Sequence, residues 1–450
     1  MKMPMSAALL TDHYELTMLE AALGSGAAHR RAVFEVFARH LPQGRRYGVV
    51  AGTGRVLDAL EDFTFGEQEI EFLRRARVVD ERTLDYLAGY RFSGDVHGYA
   101  EGECYFPGSP IMVVDGTFAE AVLLETLILS ILNHDSAVAS AASRMVRAAG
   151  ERPIIEMGSR RTHEAAAVAA ARAAYVAGFG STSNLMAGRL YGVPTAGTAA
   201  HAFTLLHDSE HDAFQAQLDF LGTDTTLLVD TYDVAKAVRT AVELAGPRLG
   251  AVRIDSGDLR AVAHEVRDML DGLGATGTRV VVTGDLDEYA IAALAAAPVD
   301  GYGVGTSVVT GSGAPTASLV YKLVAREDSG GTLRPVAKRS VGKPSRGGRK
   351  TAFRTLEDGV ATCELVSVLP DSPVTDSPVP GSTVPGSPVP GSPAPAGTRP
   401  LLRPLVRGGA VVGREPLAEA RERHRASVAE LPKDAHHLSP GDAAVPTVFT

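Results

Sequence analysis

Hydrophobic and polar positions divide this chain into stretches of different period. From Ile111 to Ala325, short apolar, β-rich runs alternate with alanine-rich stretches of helical length. The runs are Ile111–Val114, Pro153–Met157, Val193–Gly197, Thr226–Val229, Ala251–Ile254, Arg279–Val282 and Gly301–Val304. Each ends in a polar or glycine cluster, and Glu164–Tyr175 and Val234–Leu244 have the length of crossover helices. Strands alternating with helices predict a parallel α/β architecture. A GxGxxG fingerprint with an acidic residue at dinucleotide-binding distance is missing, so a barrel is expected rather than a doubly wound sheet.

The first hundred residues follow another pattern. Leu9, Leu10, Leu16, Leu19 and Leu23 give helical spacing over Leu9–Leu23. Ala32–Arg39 and Ser93–Phe106 read as strands, Thr53–Leu60 and Glu67–Ala76 as helices. Together they suggest a separate α+β layer. Phe118–Asn133 is the most apolar stretch, yet Glu120 and Glu125 interrupt it. It is too short and too charged for a bilayer span and reads as a core helix.

Periodicity vanishes between Pro370 and Pro400, where ten of the 26 prolines fall and a pentad recurs as SPVPG, STVPG, SPVPG and SPAPA. Prolines this close cannot donate to a ladder or continue a helix, so a disordered, partly polyproline-II spacer is expected. Leu401–Val412 then carries two short apolar runs, and Leu417–Leu431 has helical spacing. The tail from Pro432 reads as loose. The expected organisation is an N-terminal α+β domain (1–110), an α/β barrel (111–330), a basic loop returning to the β-rich domain (331–366), the linker (367–400) and C-terminal strands and helix (401–450).

Composition narrows the function. Lys plus Arg number 44 against 53 Asp plus Glu, a net charge of −9, which argues against general binding to nucleic acid or anionic membranes. The two cysteines, Cys104 and Cys363, exclude a disulfide framework and a CxxC metal site. They fit a reducing compartment. Met1–Thr11 has no long apolar run, so no secretory signal is read and a cytoplasmic location is expected.

In a barrel, polar residues at the carboxyl ends of strands face the active site. Arg160 and Arg161 follow Ile154–Glu156 and can grip a carboxylate or phosphate; a surface pair is an equal alternative. Thr182 and Ser183 precede a helical run, where hydroxyls cap N–H groups and can help hold an anion. His201 stands just past a Gly-Thr turn, as a nucleophile, a base or a structural histidine. Asp230, Asp233, Asp255, Asp258 and Asp285 follow successive runs. Such carboxylates can hold Mg²⁺ or stabilise a developing cation, though each alone suits a helix cap. Gly303, Gly305, Thr306 and Ser307 close the last run; glycines there allow phosphate to approach the backbone, or simply make a tight turn. The basic stretch Lys338, Arg339, Lys343, Arg346, Arg349, Lys350 and Arg354 could clamp an anion or be a solvated charge run. Its near absence of aromatics disfavours nucleic acid.

Taken in order, these stretches resemble nicotinate phosphoribosyltransferases. The matching segments are LTDHYELTM from Leu10, EMGSRRTH from Glu156, GSTSN from Gly180, GTAAH from Gly197, RIDSGDL from Arg253, GDLDE from Gly284, GVGTSVV from Gly303, YKLVA from Tyr321 and AKRSVGK from Ala337. They cover most of residues 9–355. The resemblance implies a type II phosphoribosyltransferase fold, an irregular α/β barrel with a β-rich α+β domain built from N- and C-terminal segments. It also implies a homodimer with shared active sites. The implied reaction converts nicotinate and phosphoribosyl diphosphate to nicotinate mononucleotide and diphosphate, coupled to ATP, with Mg²⁺, in NAD salvage. By the same resemblance His201 would take the γ-phosphate of ATP as a phosphohistidine. Thr198 would contact nicotinate or its surroundings, and Tyr14 would stack on the pyridine ring, from the partner subunit. Arg160 and Arg161 would grip the carboxylate or diphosphate. Gly303, Gly305 and Thr306 would hold the 5′-phosphate. Asp255, Asp258 and Asp285 would serve Mg²⁺, the ribose hydroxyls or the oxocarbenium-like centre, with Asp255 and Asp258 as catalytic and metal residues. Thr182, Ser183 and Arg253 join the substrate-binding set. Two departures stand out. Ala202 occupies a position where many relatives carry an acid, so an orienting carboxylate must come from elsewhere. The proline-rich segment has no counterpart. A nicotinamide-specific enzyme and a catalytically idle relative remain the alternatives.

Overall fold

The computed structural model describes residues 7–42, 44–338, 345–369 and 397–450. The chain forms two compact units, Ala137–Pro315 and Met1–Ser136 with Thr316–Thr450. The linker expectation falls largely outside the described residues. At its margins the chain is ordered: Val368 ends the strand Val360–Val368, and Thr398–Pro400 is a strand.

The unit Ala137–Pro315 is built on six parallel strands. They are β1 (Ile154–Glu156), β2 (Ser181–Thr182), β3 (Thr226–Leu228), β4 (Ala251–Ile254), β5 (Arg279–Val282) and β6 (Gly301–Val304). Their order across the sheet is β2-β1-β6-β5-β4-β3. Leu227, Leu228, Val252, Ile254, Val280, Val282, Tyr302 and Val304 are all buried, as expected of strands covered on both faces. The helices Glu164–Val176, Val234–Ala245 and Leu259–Gly272 return the chain between strands. Asp233 and Asp258 cap the last two, accepting from the amides of Lys236 and Ala261. Because every strand runs the same way, all six carboxyl ends lie along one edge. That edge carries the candidate residues.

Two expected members of this sheet are absent from it. The run at Ile111 forms the strand Met112–Thr117, antiparallel to both Arg31–Ala38 and Asp95–Tyr99. A fully buried apolar run looks the same in either kind of sheet, so periodicity could not separate them. Val193–Gly197 makes only an isolated bridge, Thr195 to Thr182; Pro194 has no N–H to donate, and its carbonyl accepts from Thr182 N. The parallel unit is therefore narrower than 111–330 at both ends, since Leu319–Glu327 also pairs with Arg31–Ala38.

The other unit holds a seven-stranded sheet centred on Arg31–Ala38 and a four-stranded sheet of Thr398–Pro400, Lys350–Glu357, Val360–Val368 and Thr447–Phe449. Ser93–Phe106 is not one strand but two, Asp95–Tyr99 and Cys104–Tyr105, separated by a turn at 101–102. The tail from Pro432 is ordered. It makes a 3₁₀ turn at Lys433–His436 and a final strand parallel to Val360–Val368. The N-terminal helix, His13–Ser25, buries Leu16, Leu19 and Leu23 and ends at Gly26, whose φ of 76° is left-handed. The apolar stretch from Phe118 runs on as the helices Phe118–Val122 and Glu125–Ala149. Together they are long and apolar enough to cross a membrane, but 67% of that apolar window is buried inside the protein, in keeping with the core role.

The basic stretch has a structural use where it is described. Lys350 is buried against Glu35 at 2.6 Å, and Arg354 is buried against Glu103 and Glu364. Neither is available as a flexible clamp or a solvated charge.

Candidate functional site

β4 sets the middle of the site. Arg253, on this strand, sends its guanidinium along the strand-end edge. Nε donates to Thr283 Oγ1 at 3.0 Å, Nη1 to Thr198 Oγ1 at 2.6 Å and to Ala199 O at 3.3 Å, and Nη2 to Asp255 at 3.0 Å. One side chain thus ties the segment before His201 to the ends of β4 and β5. Thr198 is here a support for Arg253.

Asp255 accepts from both Arg253 and Thr283. Burial pushes its carboxyl up, but the hydrogen bonds from Thr283 and Arg253, with the nearby positive charge, outweigh this and hold it below the usual carboxylate range. It is an anion at neutral pH.

His201 begins the helix His201–Leu206. Its Nδ1 lies 3.1 Å from Thr231 Oγ1. Its Nε2 faces two carboxylates, Asp230 and Asp255, each at 4.0 Å. The ring is 40% exposed, so an incoming phosphate can reach it. Asp230 uses its Oδ2 to accept from Asp255 N and Ser256 Oγ. Its Oδ1 is buried and has no hydrogen-bond partner. A buried carboxylate oxygen without a partner is costly, and this one is aimed at the imidazole. Two carboxylates from the ends of β3 and β4 thus face the ring, where Ala202 provides no adjacent acid.

At the far side of the edge, Glu156 ends β1 fully buried, accepting from Gly158 N and Thr182 Oγ1. Burial pushes its carboxyl up, and those two donors oppose the shift. Thr182 also accepts from Asn184 N. The helix Leu185–Tyr191 is capped by Asn184, through Ala187 N, and not by the hydroxyls of 181–183. Thr182 is turned inward, so its hydroxyl positions this corner, while Ser183 stays partly exposed. Arg160 and Arg161 are exposed on the turn beyond Gly158. Gly158 has no room for a side chain: a Cβ would lie 2.9 Å from Gly305 O and 2.2 Å from Val309. The arginine turn and the Gly305–Thr306 turn are therefore packed together.

Gly303 lies inside β6, where a Cβ would strike Thr283 and Met157 at 2.5 and 2.8 Å. Its lack of a side chain serves strand packing. Gly305 precedes the short helix Thr306–Val309. Asp258 uses its Oδ1 on the helix cap described above. Asp285 is not a cap, which is Asp287. Asp285 has φ 42° and follows Gly284, whose Cβ would lie 2.5 Å from Asp255 O. Tyr14, 43% exposed, belongs to the other unit.

The structure thus brings together His201, Thr198, Arg253 and Asp255, and adds Thr231, Thr283 and Asp230 as their supports. Arg160, Arg161 and Thr306 stand on neighbouring turns. β1 and β4 are three ladder spacings apart, about 14 Å, room for an extended polyphosphate substrate. Among the described residues no group of three or more His, Cys, Asp or Glu could hold a metal ion. Mg²⁺ commonly binds through one or two carboxylates and substrate phosphates, and the free side of Asp255 with Asp258 fits that mode better than a cage of protein ligands.

Comparison with known proteins identifies the family. A family model for the nicotinate phosphoribosyltransferase N-terminal domain matches residues 9–133. Nicotinate phosphoribosyltransferase pncB1 of Mycobacterium tuberculosis is 56% identical over 450 residues, covering 98% of this chain and 95% of that protein. The nicotinate phosphoribosyltransferase of Bacillus subtilis is 37% identical over 362 residues, 78% of this chain and 74% of its own. The crystal structure of human nicotinic acid phosphoribosyltransferase superposes with a TM-score of 0.79 at 28% identity, covering 98% of this chain and 97% of that one. With such identity maintained along nearly its whole length, the chain belongs to the nicotinate phosphoribosyltransferase family.

Proposed function

We propose that this chain transfers phosphoribose from phosphoribosyl diphosphate to nicotinate in NAD salvage, and that ATP hydrolysis drives the transfer through phosphorylation of His201. The observation that carries the reading is the setting of His201, with Thr231 on one ring nitrogen and two carboxylates facing the other.

Carboxylates beside Nε2 favour the tautomer with the proton there, because negative charge attracts N–H and repels a lone pair. Nδ1 then holds the lone pair. Once the Thr231 hydroxyl turns away, Nδ1 attacks the γ-phosphorus. The N–P bond forms, the bond to the bridging oxygen breaks, and ADP leaves with that electron pair. Asp230 and Asp255 balance the imidazolium charge, as the carboxylate of a nucleophile–base pair does. Mg²⁺, when bound, would neutralise polyphosphate charge, and Asp255 and Asp258 would hold it.

For the glycosyl step, the exposed Arg160 and Arg161 suit the nicotinate carboxylate or the diphosphate, and Gly305 with Thr306 suits the 5′-phosphate. Asp285 would meet the ribose hydroxyls or the cationic centre at C1′. Tyr14, from a second copy of the chain, would stack on the pyridine ring, which makes the active unit a homodimer. We read the open parallel sheet as the irregular barrel of type II phosphoribosyltransferases. The test is an assay with labelled phosphoribosyl diphosphate offering nicotinate, nicotinamide or quinolinate. Mononucleotide from nicotinate, stimulated by ATP, is expected; preferential use of either other acceptor would refute the assignment.

A further inference from the structure

Tyr14 is followed by a carboxyl group that the mechanism leaves unused. Glu15 is completely buried on the helix His13–Ser25. It accepts from Thr11 Oγ1, from Thr126 N at 2.9 Å and from Thr126 Oγ1 at 2.5 Å. Thr126 is the second residue of the helix Glu125–Ala149. Its amide has no partner within that helix, and a negative charge there meets the positive end of the helix dipole. Tyr14 lies beside Glu125, whose charge adds to burial in raising the phenol and whose carboxylate is 3.5 Å from Lys322 Nζ. Glu15 is thereby pinned to the first turn of the other helix, with Tyr14 next to it in sequence and beside Glu125. Neighbours on a helix are about 100° apart around its axis, so fixing the inward Glu15 also fixes the direction of the half-exposed Tyr14.

We propose that Glu15 is a positioning residue, whose link to the start of helix Glu125–Ala149 sets how Tyr14 presents its ring to the pyridine substrate. This rests on the role of Tyr14 stated above.

The link responds to pH. Burial pushes the Glu15 carboxyl up to about 7, against the lowering effect of the Thr11 and Thr126 donors, and Glu125 adds a further upward push. The other titratable groups around it are Asp12 and Tyr14 on its own segment, Tyr90, and Tyr321 with Lys322 on the strand Leu319–Glu327. Above about pH 7 the carboxylate can accept all three donors. Below it the carboxyl is neutral: a threonine hydroxyl can turn to accept its proton, but the charge at the helix start and the charge-assisted strength of the three bonds are lost, so the helix is held less firmly.

The experiment measures nicotinate KM, phosphoribosyl diphosphate KM and kcat from pH 6 to 8 for the wild type, Tyr14→Ala, Glu15→Gln and Thr126→Val. Thr126→Val removes one hydroxyl donor and leaves the backbone amide, so it serves even if the Glu15 variant folds poorly. The expected result is a nicotinate KM that rises several-fold in the wild type as pH falls through 7, and a flatter profile in Glu15→Gln. Thr126→Val should raise nicotinate KM about fivefold at pH 8, the worth of one hydrogen bond, with the other two constants unchanged. An unchanged nicotinate KM in Tyr14→Ala would overturn the role of Tyr14, and the proposal with it. A raised KM in Tyr14→Ala, with wild-type profiles in both other variants, would overturn the positioning role of Glu15 alone.

Discussion

Two groups of charged side chains in this molecule use the same residue types to opposite ends. In the unit formed by Met1–Ser136 and Thr316–Thr450, Arg354 is fully buried. It donates to Glu103, Ser427, Glu364 and the carbonyl of Cys104, while Arg399 grips Glu103 and Glu430. Apart from the Arg354 Nε, its polar atoms are matched. The network joins Lys350–Glu357, Val360–Val368, Thr398–Pro400 and the helix Leu417–Ala429 to the turn at Glu103. In the unit Ala137–Pro315, His201, Asp230, Asp255 and Arg253 form the second group. There the imidazole is open to solvent and the buried Asp230 Oδ1 is left unmatched. A closed network stabilises a fold, whereas one with an exposed imidazole and an unmatched acid is suited to chemistry.

The contrast can be broken at either end. Arg354→Ala should have the largest effect. It strands Glu364 in the interior and leaves Glu103 to Arg399 alone, for a loss of about 3–5 kcal/mol in urea unfolding. The pH dependence of stability probes the same network. Burial pushes Glu103 up, but Arg354 and Arg399 outweigh it and hold its carboxyl at about 2. A depressed carboxyl contributes stability that is present above its unfolded value, near 4.5, and lost as pH falls toward 2. The wild type should therefore lose roughly 3 kcal/mol over that window by a limb that Glu103→Gln lacks. If the limb persists in the variant, another group carries it.

Asp230→Asn should do the reverse. The neutral amide is expected to lower ATP hydrolysis about 100-fold while unfolding shifts by less than about 1 kcal/mol. A large stability loss with normal ATP hydrolysis would place Asp230 with the structural network instead. Gly284→Ala is expected to sit between the two, since a Cβ would lie 2.5 Å from Asp255 O at a φ of 109°. Strain of about 1–3 kcal/mol should appear both in unfolding and as reduced turnover.

The smallest effect is expected from removing 377–396. The strands that flank the longer segment both border Lys350–Glu357, pairing near Lys350 and Thr355 respectively. Their facing ends are thus roughly 20 Å apart, within reach of the seven residues left at 370–376, which span at most about 27 Å. Activity and thermal midpoint should stay near the wild type; a large loss of either would give that segment a structural role.

Much of the site could be read before the fold was known, for a physical reason. β4, β5 and β6 match their expected limits residue for residue, because short buried runs bounded by glycine, aspartate or threonine leave little freedom of register. Parallel strands then bring their carboxyl ends to one edge, so chain order alone gathered Arg253, Asp255 and Asp285, whereas His201 follows a run that is no strand of this sheet and its segment is tied in by Arg253 through Thr198. Side-chain direction was not legible. Thr182 looked like an anion-binding hydroxyl but turns to the buried Glu156, and Thr198 supports Arg253. Asp230 was visible only as one acid among five. Its unmatched oxygen depends on the burial of one carboxylate edge, which no spacing encodes. The placement of Met112–Thr117 failed for a similar reason: an apolar run records that a strand is buried, not which sheet buries it.

The central claim concerns His201. Incubating the protein with γ-labelled ATP and Mg²⁺ should give a stoichiometric, acid-labile, base-stable phosphate on His201. His201→Ala should abolish both the label and ATP hydrolysis while slow ATP-independent turnover of nicotinate continues. Equal ATP hydrolysis in mutant and wild type, or label retained in His201→Ala, would contradict it.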